Sequence, residues 1–266
     1  MTLRSILLVP LALALSLPAF TARADDAPPI CTDRPTKANV TCTVPEGMWQ
    51  LETDVGNYTR DTHDGGSTET LYFVNPYLKY GISSHTDIEV NWAPDVRART
   101  SADGQHQTTN GAGDLFVRVK TNLYTGDIFS ASIIPFIKAP TASHGIGNGQ
   151  WEGGVIVPMS AAVGAGFTLT LGPELDAVAD TDGQGHHLSV TNLINLTHSL
   201  TSKLSMEIEY WRQDNQDPSG HIKRESGDIA FIYVLNPNLQ LDMGANVGLN
   251  HATPDMQTYL GLSYRW

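Results

Sequence analysis

Residues 204–210 read Leu-Ser-Met-Glu-Ile-Glu-Tyr, a strict alternation of apolar and polar side chains. Successive side chains of a β-strand point to opposite faces, so the segment predicts a strand with one apolar and one charged face. A water-filled lumen accommodates the charges of Glu207 and Glu209, while lipid accommodates the apolar face. The segment therefore favours a transmembrane β-barrel over a sheet that packs on a dry core.

The same alternation recurs along the chain in about twelve runs of about ten residues, the length that a tilted transmembrane strand requires. Polar segments rich in Gly, Asn, Asp and Pro separate the runs. Five runs alternate less regularly, near residues 72–80, 130–138, 153–161, 188–197 and 227–235. Because lipid tolerates no open sheet edge, we expect the strands to close into a barrel.

Longer polar connections alternate with shorter ones, as external loops and periplasmic turns do in outer-membrane barrels. The longer ones are residues 59–68, 94–110, 140–150, 179–185, 212–226 and 250–257; the shorter ones are residues 81–86, 125–127, 162–163, 198–202 and 236–238. Aromatic residues gather at the run ends, which is typical of interfacial girdles: Trp49, Trp92, Tyr124, Trp151, Trp211, Tyr264 and Trp266. We predict an all-β fold, a single antiparallel transmembrane β-barrel of about 12 strands with short periplasmic turns and longer extracellular loops.

The composition excludes two broad classes of protein. Of the 266 residues, 41% are hydrophobic and 17% are charged, and the formal net charge is −12. The chain is too apolar to be disordered, and it lacks the basic surface that tracks nucleic-acid phosphates. We therefore expect no nucleic-acid partner.

Residues 1–24 predict a secretory signal peptide. Arg4 supplies the positive charge, residues 6–20 form the apolar run, and Ala22-Arg23-Ala24 is a cleavage site. We expect export to the cell outer membrane, with the barrel formed by residues 46–266.

Residues 25–45 are Pro-rich and show no strand alternation. They contain Cys31 and Cys42, for which a disulfide is the default in an oxidising compartment. The segment either enters the barrel as a small plug or lies in the periplasm. Asp33 and Arg34 fit either an internal ion pair that fixes the segment or a solvated turn.

The polar faces of the strands supply the candidate functional residues. Charged rings in a pore select ions and orient polar solutes, and an acidic excess predicts weak cation preference if a path is open. The alternative is that the charges pair across the lumen and plug it. The predicted pore-lining side chains are Glu52, Asp54, Asp87, Glu89, Arg118, Lys120, Lys138, Glu174, Asp176, Glu207, Glu209, Asp242 and Arg265.

Neither catalysis nor metal binding is favoured by the sequence. It contains no Gly-x-Ser-x-Gly and no His-Glu-x-x-His, and neighbours such as Ser143-His144 or His198-Ser199 point to opposite faces of a strand. Histidines in the predicted external loops, with aspartates nearby, could capture Zn²⁺ or Cu²⁺ or gate by protonation, but we favour the interpretation that they are ordinary polar loop residues. We predict no enzyme, no cofactor and no metal site. The alternatives are a lipid-modifying outer-membrane enzyme and a soluble periplasmic ligand-binding barrel.

Several short motifs resemble the MetA-pathway-of-phenol-degradation family of Gram-negative outer-membrane proteins, often labelled transporters. They are Thr32-Asp33-Arg34-Pro35, Val44-Pro45-Glu46-Gly47, Gln50-Leu51-Glu52, Tyr80-Gly81-Ile82, Gly111-Ala112-Gly113-Asp114-Leu115, Lys138-Ala139-Pro140-Thr141 and Gly261-Leu262-Ser263-Tyr264-Arg265-Trp266. The resemblance implies a barrel that passes small, aromatic or hydrophobic molecules. One departure is Ala142-Ser143, where the family usually has glycine, so we expect a different shape for that loop.

The resemblance also implies partners. The closing Tyr264 and Trp266 look like the signal that the barrel-assembly machinery reads. We expect outer-membrane lipid, lipopolysaccharide and a small-molecule solute as the other partners.

Overall fold

The computed structural model describes residues 28–63 and 65–266, so the predicted signal peptide lies outside the described residues. Within those residues, no helix is long and apolar enough to cross a membrane. Seventeen strand segments form one antiparallel sheet: β1 (Trp49–His63), β2 (Gly66–Val74), β3 (Tyr77–Ser83), β4 (Thr86–Trp92), β5 (Asp95–Ala102), β6 (Gln105–Gly111), β7 (Leu115–Thr125), β8 (Phe129–Ala139), β9 (Glu152–Ile156), β10 (Met159–Gly164), β11 (Phe167–Leu171), β12 (Glu174–Ala179), β13 (His186–Ser199), β14 (Leu204–Asp217), β15 (Gly220–Asn236), β16 (Leu239–Gly248) and β17 (Met256–Arg265).

The sheet closes on itself because β1 pairs with β17. Trp49 and Trp266 exchange backbone hydrogen bonds of 2.9 Å where the two strands meet. Five pairs of segments (β2 with β3, β4 with β5, β6 with β7, β9 with β10 and β11 with β12) each form one interrupted barrel strand, and the other seven segments are continuous. The result is a closed antiparallel barrel of twelve strands, which confirms the predicted fold class.

Proline accounts for most of the interruptions. Four of the five contain one, at Pro76, Pro94, Pro158 and Pro173. Proline has no backbone N–H to donate, so the ladder of hydrogen bonds breaks at each position. Two of the runs that alternate poorly in the sequence, 72–80 and 153–161, contain such breaks.

The two faces of the sheet differ in the way that the alternation predicts. Ile208 and Leu260 are exposed on the outer surface, whereas Glu209 and Ser263 are buried inside the barrel. Six of the seven aromatic residues predicted for the girdles are exposed: Trp49, Trp92, Tyr124, Trp151, Tyr264 and Trp266. Trp211 is the exception, because it follows the inward register of Glu207 and Glu209, and its ring lies 5.2 Å from Lys37 Nζ.

Three of the longer connections are shorter than the sequence indicates. Residues 59–68, 94–110 and 212–226 are mostly strand, since β1 pairs with β2, β5 with β6, and β14 with β15 almost to their tips. These hairpin ends carry polar residues on both faces, so no apolar alternation marks them as strands. The loop after β8 is long, as predicted, and it is held where Ser143 N donates to Ala112 O at 2.9 Å.

Candidate functional site

A hairpin of non-strand chain, residues 28–48, occupies the interior of the barrel, and we name it the lumen hairpin. At its start, Arg265 Nη2 donates to Pro28 O at 2.6 Å, at the end of the barrel where β17 ends. It rises to an apex at Lys37 and returns, where Val44 N donates to Asp87 Oδ2 at 2.7 Å. A disulfide between Cys31 and Cys42 joins the two legs.

Asp33 is buried among three cations of the barrel wall. Its carboxylate accepts hydrogen bonds from Lys79 Nζ at 2.5 Å and Lys120 Nζ at 2.6 Å, and Arg118 Nη2 lies 3.7 Å away. Burial alone would raise the pKa of the Asp33 carboxyl, but the charges of Lys120, Lys79 and Arg118 outweigh burial and hold that pKa well below its usual range.

Glu52 and Glu89 complete this cluster. Lys79 Nζ lies 2.6 Å from Glu52 Oε1, and Arg118 Nη2 lies 2.6 Å from Glu89 Oε2. We name this surface, formed on β1, β3, β4 and β7, the mixed wall; its residues are Glu52, Lys79, Glu89, Arg118 and Lys120. Asp33 adds a third carboxylate to this set of three cations and two carboxylates, and Asp87, opposite Lys120 in the strand pairing, lies beside the set.

The opposite side of the lumen carries carboxylates, and we name it the acidic wall: Asp54 on β1, Glu207 and Glu209 on β14, Asp228 on β15 and Asp242 on β16. Arg34 bridges two of them, with Nη1 2.8 Å from Asp54 Oδ1 and Nη2 2.8 Å from Asp242 Oδ1. The guanidinium Nε also donates to Asp242 Oδ2 at 3.2 Å, which makes that contact bidentate. Asp33 and Arg34 therefore pair with the wall on opposite sides.

Lys37 at the apex pairs with the acidic wall higher in the barrel. Its Nζ lies 2.5 Å from Asp228 Oδ2 and donates to Ser226 Oγ at 2.9 Å. Glu209 binds the backbone of the apex, because Lys37 N and Ala38 N donate hydrogen bonds to its two carboxylate oxygens at 3.1 and 3.0 Å. One carboxylate thus holds two backbone donors of the apex.

Glu207 has fewer contacts than its neighbour on β14. It accepts a hydrogen bond of 3.0 Å from Thr36 Oγ1 and one of 3.3 Å from Thr197 Oγ1, and it is half-buried. Glu207 and Glu209 are equivalent candidates in the sequence, but their contacts differ in the structure. Glu209 is part of the attachment of the hairpin, whereas Glu207 touches it only at a hydroxyl.

The remaining predicted pore-lining residues lie at other positions in the lumen. Lys138 Nζ is 2.7 Å from Glu152 Oε2, and Glu174 and Asp176 lie together on β12. Except for Glu174 and Glu207, which are half-buried, every predicted pore-lining side chain is buried.

Four charged residues make contacts in the lumen although the sequence did not single them out: Lys37, Lys79, Glu152 and Asp228. Lys79 falls in the run that Pro76 interrupts. Asp228 falls in a run with apolar residues on both faces, since Ala230 is also buried. The register of the paired strands could have identified Lys79 and Asp228, because it places Lys79 opposite Glu89 and Asp228 opposite Glu209.

Glycines allow the hairpin to approach the wall closely. A Cβ at Gly81 would overlap the carbonyl oxygen of Pro45, and a Cβ at Gly261 would overlap the guanidinium of Arg34. Gly81 also exchanges backbone hydrogen bonds with the end of the hairpin, accepting from Gly47 N at 2.9 Å and donating to Met48 O at 3.1 Å. Several of the motifs quoted from the sequence are therefore contacts between hairpin and wall.

Two cavities border the hairpin. One of about 240 Å³ lies above the apex, and one of about 190 Å³ lies between the hairpin and the mixed wall. Lys37 lines both. The apex thus separates two spaces inside the barrel.

One group of residues at the external end has atoms that could hold a metal ion. Ligating atoms of Asp180, His187 and Asp217 lie within 4.8 Å of one another. His187 Nδ1 is 2.8 Å from Asp180 Oδ1, and Asp217 Oδ2 accepts from Thr181 N and Thr181 Oγ1 at 2.8 and 2.7 Å. These hydrogen bonds tie the loop after β12 to the end of β14.

The sequence matches the family model described as "Putative MetA-pathway of phenol degradation" over residues 32–266. A search of curated proteins finds no match. The barrel is similar to the COG4313 outer membrane channel from Pseudomonas putida F1, with a TM-score of 0.68, 13% identity, and coverage of 85% of this chain and 98% of the other.

Two further solved structures share the architecture. The translocator domain of autotransporter NalP from Neisseria meningitidis has a TM-score of 0.55 at 12% identity, covering 86% of this chain and 90% of that one. The NanC porin has a TM-score of 0.53 at 11% identity, covering 81% and 98%. At such identities the likeness establishes the fold of an outer-membrane barrel.

Proposed function

This chain belongs to the family described as the MetA pathway of phenol degradation, and we propose that it is an outer-membrane channel for the passive passage of small molecules, including aromatic or hydrophobic ones. The observation that carries the proposal is the pair of cavities on either side of Lys37, inside a closed barrel with a polar interior. A modest displacement of the apex would join them into one path.

We infer that the hairpin closes the lumen through contacts that can break and re-form. Its charged side chains are held by ion pairs and hydrogen bonds to the two walls. Fixed charges along such a path orient polar solutes and bias passage by charge. The mechanism is diffusion past the hairpin, with no cofactor and no coupling to an energy source.

The enzyme alternative lacks support at the residues that it would use. His198 Nδ1 contacts Gly166 O at 3.2 Å, and its ring stacks on Phe167 with centroids 4.1 Å apart. Ser143 Oγ accepts from Ala112 N at 3.0 Å. The soluble-barrel alternative is disfavoured by the exposed apolar outer surface, which suits lipid.

The remaining partners follow from the outer surface. We infer that lipid and lipopolysaccharide surround the exposed apolar belt. The rings of Tyr264 and Trp266 stack with centroids 5.6 Å apart and are exposed at the end of the last strand. That exposed aromatic end is available to the barrel-assembly machinery.

Planar-bilayer conductance of the refolded mature protein tests the channel. We expect single-channel steps that grow when Lys37→Gln weakens the apex contact, because the two cavities then join more often. Lys203→Gln is the matched control, since Lys203 is exposed in the turn between β13 and β14. Folded protein that stays silent in all three forms would contradict the proposal.

A further inference from the structure

The cavity above the apex has a charge opposite to that of the whole protein. Its floor is Lys37, and Thr253 and Pro254 of the loop between β16 and β17 line its upper side. The charged side chains that line it are Lys37 and Arg224, and among the described residues no carboxylate lines it. Lys37 is paired with Asp228, so the net positive charge of the chamber comes from Arg224, in a chain of formal net charge −12.

Arg224 carries a charge that no carboxylate balances within the described residues. Its Nε donates to Ala252 O at 3.1 Å, and its Nη1 donates to Gln213 Oε1 at 3.0 Å. Both acceptors are neutral, so they fix the guanidinium without cancelling its charge. A positioned guanidinium of this kind recognises a carboxylate through charge-assisted hydrogen bonds.

Trp211 supplies the second recognition element. It is the one predicted girdle aromatic that turns into the lumen, where it lines the same chamber as Arg224. An indole face offers stacking to a planar ring. The volume of about 240 Å³ is below the roughly 300–1,000 Å³ of pockets for drug-sized ligands, so it suits a molecule with one ring.

We propose that this chamber binds small monoaromatic anions, with the ring against Trp211 and the carboxylate toward Arg224. The inference rests on the proposed channel function for its meaning, because it names the class of solute that the external half of the path would select. It is a statement about binding, and binding can be measured whether or not the solute crosses.

Isothermal titration calorimetry on the folded mature protein in detergent tests the assignment with three probes. Benzoate carries both ring and charge, benzyl alcohol only the ring, and acetate only the charge. We expect benzoate to bind about tenfold more tightly than either of the others, and to weaken with added salt. Equal affinity for benzoate and benzyl alcohol, or for benzoate and acetate, would overturn the proposal.

Two arginine variants sharpen the test. Arg224→Gln should weaken benzoate about tenfold and leave benzyl alcohol unchanged. Arg212→Gln removes the same charge from the neighbouring strand, where Arg212 pairs with Asp214 and Glu225 on the outer face, and should change neither. Retained heat-modifiability on gels checks that both variants fold. Equal loss of benzoate affinity in both variants would reject the chamber.

Proteoliposome uptake separates this proposal from the channel function. Benzoate binding without uptake of any probe would contradict the channel and support the chamber. Uptake of benzyl alcohol without a preference for benzoate in binding would support the channel and overturn the chamber.

Discussion

The two walls of the lumen hold the same short hairpin by opposite means. The mixed wall presents Lys79, Arg118 and Lys120 to one carboxylate, that of Asp33, whereas the acidic wall presents several carboxylates to Arg34 and Lys37. Within the five residues from Asp33 to Lys37, the hairpin therefore presents a negative side chain to the mixed wall and positive side chains to the acidic wall. Net charge counted along the sequence conceals this pattern, because it does not report on which side of the lumen each charge lies.

The difference teaches which contacts are fragile. The loss of Asp33 would leave three cations of the mixed wall without this partner, whereas the loss of Arg34 would leave two carboxylates of the acidic wall without theirs. The mixed wall should therefore be the more sensitive to loss of its partner. The expected effects below run from the largest to the smallest.

Asp33→Asn should have the largest effect. It leaves the buried Lys120 without its nearest carboxylate and removes one of the two close carboxylates of Lys79, and breaking buried ion pairs costs about 3–5 kcal/mol. We expect the hairpin to detach and single-channel conductance to rise steeply while the barrel stays folded. Asp103→Asn, in an exposed turn between β5 and β6, is the control. Conductance equal to that of the unmodified protein would show that the mixed wall does not hold the hairpin.

Arg34→Gln should rank second, at about 3 kcal/mol or less, because it leaves two carboxylates, Asp54 and Asp242, without their partner, against three cations for Asp33→Asn. Conductance should rise, but less than in Asp33→Asn. A larger effect than that of Asp33→Asn would reverse the ranking of the two walls.

Removing the disulfide should rank third. Cys31 and Cys42 are 11 residues apart, and closing such a loop contributes at most about 3 kcal/mol through chain entropy. Because both walls still hold the hairpin, the double Cys→Ser variant should show brief fluctuations of conductance rather than a stable open state. A permanently open channel would assign closure to the disulfide instead of the walls.

Glu209→Gln and Glu207→Gln sharpen the view of the acidic wall. The first replaces an acceptor of two backbone N–H groups, at about 1–3 kcal/mol, whereas the second removes a half-buried charge with little attachment role. We expect Glu209→Gln to raise conductance and Glu207→Gln only to lower cation selectivity. Indistinguishable currents from the two variants would contradict the different roles of these residues.

The last prediction is that the protonation of Asp33 does not change between pH 7 and pH 5. The folded protein holds the pKa of the Asp33 carboxyl below its usual range. The ionised carboxylate therefore contributes its full stabilisation at pH values above about 3.9, the pKa in the unfolded chain, and loses that stabilisation only at lower pH. The ¹³C NMR signal of the Asp33 carboxyl, assigned with Asp33→Asn, should stay constant from pH 7 to pH 5. A midpoint inside that range would contradict the proposed grip of the mixed wall.

The sequence predicts the barrel better than its contents. Period-two alternation identifies the strands and places residues such as Glu89 and Glu209 inside, because each strand reports its own faces locally. It cannot report that Arg34 meets Asp242, 208 residues away, since that contact depends on closure of the whole sheet. Lys79 was missed because Pro76 interrupts its run. Trp211 was misassigned because its position at a run end outweighed the register of its own strand.

Arg34 has a consequence for how the barrel is completed. It binds Asp54 on the first strand and Asp242 on the penultimate one, and Gly261 of the last strand leaves room for it. A slip of two residues between the first and last strands would carry Asp54 about 7 Å along the axis, beyond reach of the guanidinium. The hairpin therefore stabilises one alignment of the first and last strands over the neighbouring alignments, and it acts as an internal check on how the barrel closes.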